Sequence, residues 1–504
     1  MTDVVLGVDA STTGVKVIAW DAQGTALAEA RETYELESPT PGAWEQDAEQ
    51  WWRCTCDALR RCRDRLDGAH RVRGLCVTHQ RETFVLTDAA GIPQANAIVW
   101  MDGRGRELVD EARGPLSADD IHELSGKPAC ITPSYYKLFA LFARRPELHR
   151  PELRVMDVQG FLGWRLTGNF RTSLASADPL GLVDMRARSW ATPLLHRLGL
   201  TSAQLPELVE CGSELGALLP EVAERTGLEP GLPIVAGLGD GQAAGLGAGL
   251  TTGDDAYLNL GTAIVSGVLS ERYQTSRAFR TLYSASSDRY FCETDLLGGT
   301  FTLNWLTRTL LQNEDSSSAL RELEAAAARL PPGADGLLLV PYWAGVMNPY
   351  WDDDARGVML GLSGSHGPAH LHRAILEGIA LEHGLHSEGV EAALGRRIRS
   401  FVVMGGGADS DLWCQILADV LARPVVRARS KEATCLGAGM LAAVHAGLQP
   451  DLVGAASTMT GRGVRFEPGP ARDTYAHLQA IHRRIYPSLR ESLHALAAFR
   501  DSGP

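Results

Sequence analysis

No run of about 20 apolar residues occurs, so nothing in the sequence reads as a membrane span. The longest lightly charged stretch, residues 231–253, is mostly Gly and Ala and carries Asp240 near its middle. The opening segment has Asp3 and Asp9 and no basic start ahead of an apolar core, which argues against a secretory leader. Cysteine is sparse and unpaired in pattern. Nine residues scattered from Cys54 to Cys435, with no CxxC, argue against a disulfide framework or a zinc site and for reduced thiols in a cytoplasmic protein. Basic residues are in deficit: 48 Lys+Arg against 61 Asp+Glu leave a formal net charge of −13. Such a chain is poorly suited to bind nucleic acid, which recruits cations to displace phosphate counterions. Any anionic ligand would need a local positive potential from helix ends, backbone amides or a metal. Neither a Ser/Pro-rich linker nor a repeat of 20–50 residues is present.

The chain has 504 residues, 45% hydrophobic and 22% charged, which fits a soluble globular protein of more than one domain. Its 53 Gly and 25 Pro fall between short apolar runs, as tight strand–turn and strand–helix junctions require. The first forty residues read as a β-meander: Val4–Val8, a Ser11-Thr12-Thr13-Gly14 turn, Val15–Trp20, a Gln23-Gly24 turn, then an alternating run to Glu35. Residues 45–69 read as a helix with Trp51, Trp52 and Leu59 inward, and Pro133–Phe142 as another. Near residue 250 the design repeats, with strands Ala256–Leu260 and Ile264–Ser270 flanking a Gly261-Thr262 turn. Phe401–Met404 leads into Gly405-Gly406-Gly407 and a helix, and residues 473–499 carry a helical apolar stripe with a kink at Pro487.

Several of these places carry chemistry. The turn Asp9-Ala-Ser11-Thr12-Thr13-Gly14 offers backbone N–H groups and hydroxyls suited to phosphate oxygens, and Asp9 can hold Mg2+ through water; a plain hairpin tip is the competing reading. Gly405, Gly406 and Gly407, between a strand and a helix, would let a nucleotide approach closely. Gly237-Leu-Gly239-Asp240-Gly241-Gln242 superficially matches a dinucleotide fingerprint, but the spacing is loose and an Asp sits where phosphate belongs. Asp240 at a strand end reads either as a general base toward a hydroxyl or as a helix N-cap. Gln80-Arg81-Glu82 and Trp100 combine paired donors and acceptors with an aromatic face, which suits a sugar or polyol, though a solvated loop would look alike. The spacing of His370 and His372 is a weak one for a metal.

Taken in order, the Asp–Ser/Thr hairpin, the Gln-Arg-Glu segment, Gly-Asp-Gly-Gln, the second Gly-Thr hairpin and the triple glycine resemble the FGGY family of carbohydrate kinases. Gly357-Val-Met359-Leu-Gly361-Leu362, followed after a spacer by His370-Leu371-His-Arg-Ala374-Ile375-Leu376-Glu377, is similar to a family signature. Pro133-Ser-Tyr-Tyr-Lys137-Leu138 is similar to part of another, with Ala140 or Leu141 where the family has Trp. The resemblance implies an α/β fold of two actin-like (ribonuclease H-like) domains, 1–250 and 251–504, flanking a central cleft, with sugar held mainly by the first and ATP mainly by the second. It implies that Asp240 is the catalytic base and Asp9 the Mg2+-associated carboxylate. Ser11, Thr12, Thr13, Gly261, Thr262, Gly299, Gly405, Gly406 and Gly407 would then surround ATP. Gln80, Arg81, Glu82, Trp100, Gly241 and Gln242 would surround the sugar or polyol. The Arg81-Glu82 pair resembles glycerol kinases, whereas Trp44-Glu45-Gln46-Asp47 and the Gly241 after the base look more like the xylulokinase branch. A ketopentose such as xylulose, or a related polyol, is therefore the expected substrate, with glycerol or a tetritol as the alternative. An actin- or Hsp70-like ATPase without a sugar substrate is the alternative of another class. A homodimer is left open.

Overall fold

The computed structural model describes residues 1–286, 288–312 and 316–502. The predicted meander forms as strands Thr2–Ala10, Gly14–Trp20 and Ala26–Thr33. They join a six-stranded sheet in which Thr2–Ala10 also pairs in parallel with His70–His79, which in turn pairs in parallel with Pro233–Val235. The second half repeats this layout. Asp255–Leu260 is antiparallel to Ile264–Ser270, which is antiparallel to Tyr290–Leu296. Asp255–Leu260 is also parallel to Ser400–Met404, and that strand to Val425–Ala428. Two sheets of one topology, each a three-stranded meander continued by two parallel strands, make up the α/β frame. The design echo of the two hairpins is thus a repeat of topology.

Core-facing strands are buried on both faces because helices cover them. Helix Ala48–Arg65 begins three residues later than the sequence pattern suggests, because Asp47 caps it by accepting from the Glu49 N–H and Glu45–Gln46 form a short strand instead. Trp51, Trp52 and Leu59 face inward as expected. The long helices Pro368–Leu394 and Arg472–Ser502 pack on the second sheet, the latter through Ile485 and Leu493, with Pro487 inside it. A helix follows the triple glycine, as the sequence pattern suggests. Gly406–Asp409 make one 3-10 turn, with Gly405 at φ +82° turning the chain out of the strand, and the helix starts at Asp411 behind a Ser410 cap.

Helix Ala433–His445 returns from the second half to the first sheet. Leu436 and Met440 pack with Val5 and Ile18, and the Cys435 thiol lies 3.0 Å from the Gly7 carbonyl oxygen. This return helix crosses helix Asp240–Gly247 at glycine: a Cβ on Gly437 would lie 2.1 Å from the Ala243 carbonyl oxygen. All nine cysteines are free, and no helix among the described residues is long and apolar enough to cross a membrane.

Candidate active site

Between the two halves lies a cavity of about 190 Å3. From the first half Thr12, Arg81, Glu82, Trp100 and Asp240 line it. From the second come Gly261 and Thr262, joined by Arg280 and Asp295, which have no counterpart in the motif reading. Strand ends deliver these groups, as is usual for open α/β sheets. Thr12 is at the tip of the first hairpin and Gly261-Thr262 at the tip of the second, so the two equivalent turns of the repeat face one another across one space.

Asp240 is the first residue of its helix, with Gly239 as the N-cap, so the capping alternative does not hold. Its Oδ1 accepts from the Gly241 N–H at 2.8 Å and lies 2.9 Å from Arg81 Nε. The side chain is 40% exposed, opening into the cavity. Asp9 ends the neighbouring strand. Burial raises its pKa to about 7, helped by the charge of Asp240. Its Oδ1 is buried and has no hydrogen-bond partner. Thr12 accepts from Trp100 Nε1 at 2.9 Å, fixing the indole against the hairpin tip. Ser11 turns back to the Gly14 carbonyl, and Thr13 is exposed.

The Gln-Arg-Glu segment is buried rather than solvated, and Glu82 takes φ +53°, a left-handed conformation that bulky residues seldom adopt unless the surroundings hold it. Arg81 bridges Asp240 and Glu293 (2.7 Å). Glu82 meets Arg280 at 2.6 Å, and Arg280 continues to Glu293 at 2.7 Å and Asp295 at 3.0 Å. Burial opposes the charge on both arginines, yet the surrounding carboxylates hold their pKa values above the ordinary range. Burial likewise works against ionised Glu293, but Arg81 and Arg280 keep it lowered. Tyr257 donates to Glu293 at 2.5 Å. Arg81 and Glu82 therefore reach the cavity with much of their hydrogen-bonding capacity already committed across the two halves.

The remaining predicted residues lie around this centre. Gln80 sits behind it, donating to Gln46 at 2.8 Å, and Gln46 donates to the Thr12 carbonyl at 2.6 Å. Gln242 is fully buried, its amide donating to the Ala175 carbonyl at 2.8 Å, so it shapes the wall without lining the cavity. Gly241 is where a side chain would collide: a Cβ would lie 2.7 Å from Glu293 Oε2 and 2.8 Å from Arg81 Nη2. Gly299 caps the short helix Thr300–Trp305 against the second hairpin, with the Thr300 N–H donating to the Gly261 carbonyl at 2.9 Å. Gly405 and Gly407 pack on Asn259 and Leu260 at the base of that hairpin, while Gly406 faces open space. His370 pairs with Asp335 and His372 is buried, and no metal-holding cluster occurs among the described residues.

Sequence reasoning missed Arg280, Glu293 and Asp295. Their one local signal is the set of charges in otherwise apolar strands Arg280–Tyr283 and Tyr290–Leu296, where a buried charge needs a partner.

Two lobes of one topology thus face one cavity lined by a carboxylate and two Ser/Thr/Gly hairpin tips. The N-terminal domain of the FGGY family of carbohydrate kinases matches residues 4–247 and the C-terminal domain residues 256–446, so the chain belongs to that family of carbohydrate kinases. It is 33% identical to the xylulose kinase of Escherichia coli K12, over 89% of this chain and 91% of that protein. It is 30% identical to the glycerol kinase of Alkalilimnicola ehrlichii, over 92% of this chain and 95% of that one. Among solved structures, the xylulose kinase from Rhodospirillum rubrum superposes with a TM-score of 0.89 at 29% identity, covering 97% of this chain and all of the other.

One consequence of the Asp9 environment is testable in the ligand-free protein. A carboxylate raised from 3.8 to about 7 contributes stability that is fully present below its unfolded value and lost as pH rises through 7. Asp9→Asn should therefore raise the unfolding midpoint by a few degrees at pH 8, with the gain vanishing near pH 4. Unchanged midpoints at both pH values would show that Asp9 carries no such burden.

Proposed function

We propose that the protein transfers the γ-phosphoryl group of ATP to a terminal hydroxyl of a ketopentose such as D-xylulose or a related polyol. The observation that carries this is the convergence of Asp240, both hairpin tips, Glu82 and Trp100 on one cavity. Asp240 would accept the hydroxyl proton as its oxygen attacks phosphorus in line, because phosphoryl transfer depends on positioning and charge neutralisation more than on covalent chemistry. The Thr12 and Thr262 tips would hold phosphate oxygens, with Ser11, Thr13, Gly261 and Gly299 supplying or shaping backbone around them. Gly405–Gly407 would accept the adenosine part.

Asp9 fits a divalent cation, since its buried carboxylate oxygen has no hydrogen-bond partner and the charge of Asp240 acts on it more strongly than that of Lys16. Mg2+ bound there would neutralise phosphate charge. This also accounts for ATP binding by a chain of net charge −13 without a Lys/Arg patch. The two lobes, divided near residue 250 apart from the return helix, would close to exclude water and suppress ATP hydrolysis. Free thiols throughout agree with a reducing, cytoplasmic setting.

Several relatives named xylulose kinase support the ketopentose. The Arg81-Glu82 pair and the relatives named glycerol kinase favour glycerol or a tetritol as the second reading. ADP release measured over xylulose, ribulose, xylitol, erythritol, glycerol and gluconate separates them. The expected outcome is the highest kcat/KM with a ketopentose. Higher values with glycerol or erythritol would select the second reading, and ADP release independent of any sugar would replace both with an ATPase.

A further inference from the structure

We propose that Asp295, braced by Arg280, is a hydroxyl acceptor contributed by the second lobe that sets the choice among substrates and favours neutral polyhydroxy compounds over sugar acids. This rests on the kinase reading of the cavity and adds a substrate-selecting group opposite the base. Asp295 lines the same cavity as Asp240, yet its side chain is only 8% exposed. Its backbone is pinned, since its N–H donates at 2.8 Å to the side chain of the fully buried Asn348. Its carboxylate is poorly satisfied. Oδ2 lies 3.0 Å from Arg280 Nη2 but takes part in no hydrogen bond. An ionised carboxylate offers about four acceptor sites, and leaving them unmet in a buried place is costly. Oδ2 itself is shielded from the cavity and braced by Arg280, so a substrate hydroxyl would bond to the carboxylate where Asp295 lines the cavity.

The local charge balance defines the substrate class. Arg81 is shared by Asp240 and Glu293, and Arg280 by Glu82, Glu293 and Asp295. Both guanidiniums lining the cavity are thus already matched by more carboxylates than they can neutralise. A carboxylate-bearing sugar acid would find no unpaired cation among the described residues that line the cavity and would face Asp295, Glu82 and Asp240. Neutral hydroxyls, by contrast, donate to all three. Specificity here comes from a repelling group as much as from an attracting one.

Asp295→Asn keeps the shape and removes the charge. Steady-state kinetics on xylulose, erythritol, glycerol and gluconate should show KM for the best neutral substrate raised about tenfold or more, as expected for a lost hydrogen bond to a charged group. KM for ATP should stay within about twofold. The preference for neutral substrates over gluconate should narrow by about tenfold. A common factor of loss across all four substrates, or an unchanged ranking, overturns the inference. Should the amide variant fail to fold, Asp295→Ser is put through the same comparison. The wild-type panel tests the kinase reading separately. If wild type phosphorylates none of the four, that reading falls, and the inference is then decided by the stabilisation that 10–100 mM xylulose or erythritol gives to thermal unfolding (about that range, for weak ligands). Stabilisation lost in Asp295→Asn supports the inference, and equal stabilisation in both proteins overturns it.

Discussion

Asp240→Asn should lower kcat by several decades while leaving ATP affinity close to that of the wild type. The amide oxygen can still accept from Arg81 Nε and the Gly241 N–H, which now hold Oδ1 at 2.9 and 2.8 Å, so the side chain stays in place. What disappears is the second oxygen as a proton acceptor toward the cavity. General-base assistance is worth about 10²–10⁴ in rate, and misplacing the attacking hydroxyl adds to the loss. The turns proposed to hold ATP belong to other segments and are untouched. Turnover by coupled ADP release, with ATP binding by calorimetry, checks both halves of the expectation. Near-normal turnover would remove Asp240 from the role of base, and loss of ATP binding would place it in the nucleotide site. A secondary effect runs through Asp9, whose pKa is raised first by burial and next by the Asp240 charge. Neutralising Asp240 should bring it down.

That prediction rests on a residue legible in the sequence, and the reason is physical. Asp240, Thr12 and Gly261 stand at turns between short apolar strands, where chain reversal demands Gly, Ser or Thr and leaves a local pattern to read. The paired meanders were legible for the same reason. Residues whose role depends on distant partners left no such pattern. Gln242 looked like a substrate contact beside the base, but its amide is committed to the Ala175 and Tyr283 carbonyls far along the chain. Arg81 and Glu82 looked free to grip hydroxyls, while their partners Glu293 and Arg280 stand some two hundred positions away. The return of helix Ala433–His445 to the first sheet was equally hidden, since it rests on the close approach of Gly437 to Ala243, nearly two hundred positions away.

Arg280 leads to the second large effect. It is nearly buried and holds Glu82, Glu293 and Asp295 together, so Arg280→Met leaves three buried carboxylates of which Glu293 keeps its ion pair with Arg81. Removing one partner of a buried ion pair costs about 3–5 kcal/mol, because the charge left behind is uncompensated. The loss should depend on pH in a definite direction. Burial already raises the Asp295 pKa to about 6 against the restraint of Arg280, and without that cation it rises further. Glu293 loses one of the two guanidiniums that hold its pKa down. Groups raised in the folded state contribute stability that is present below their unfolded pKa, near 4, and lost as pH climbs through the folded value. The deficit against wild type should therefore be largest at pH 8 and shrink by more than half at pH 5, as read from unfolding midpoints in parallel. A deficit constant across that range would mean that Arg280 fills space without compensating charge. Arg280→Lys should recover only part of the loss, because an ammonium is a point charge and cannot reproduce the planar fork that serves three carboxylates at once. Since the Arg280–Glu82 pair joins the two lobes beside the cavity, the Met variant should also raise KM for sugar well above any change in KM for ATP.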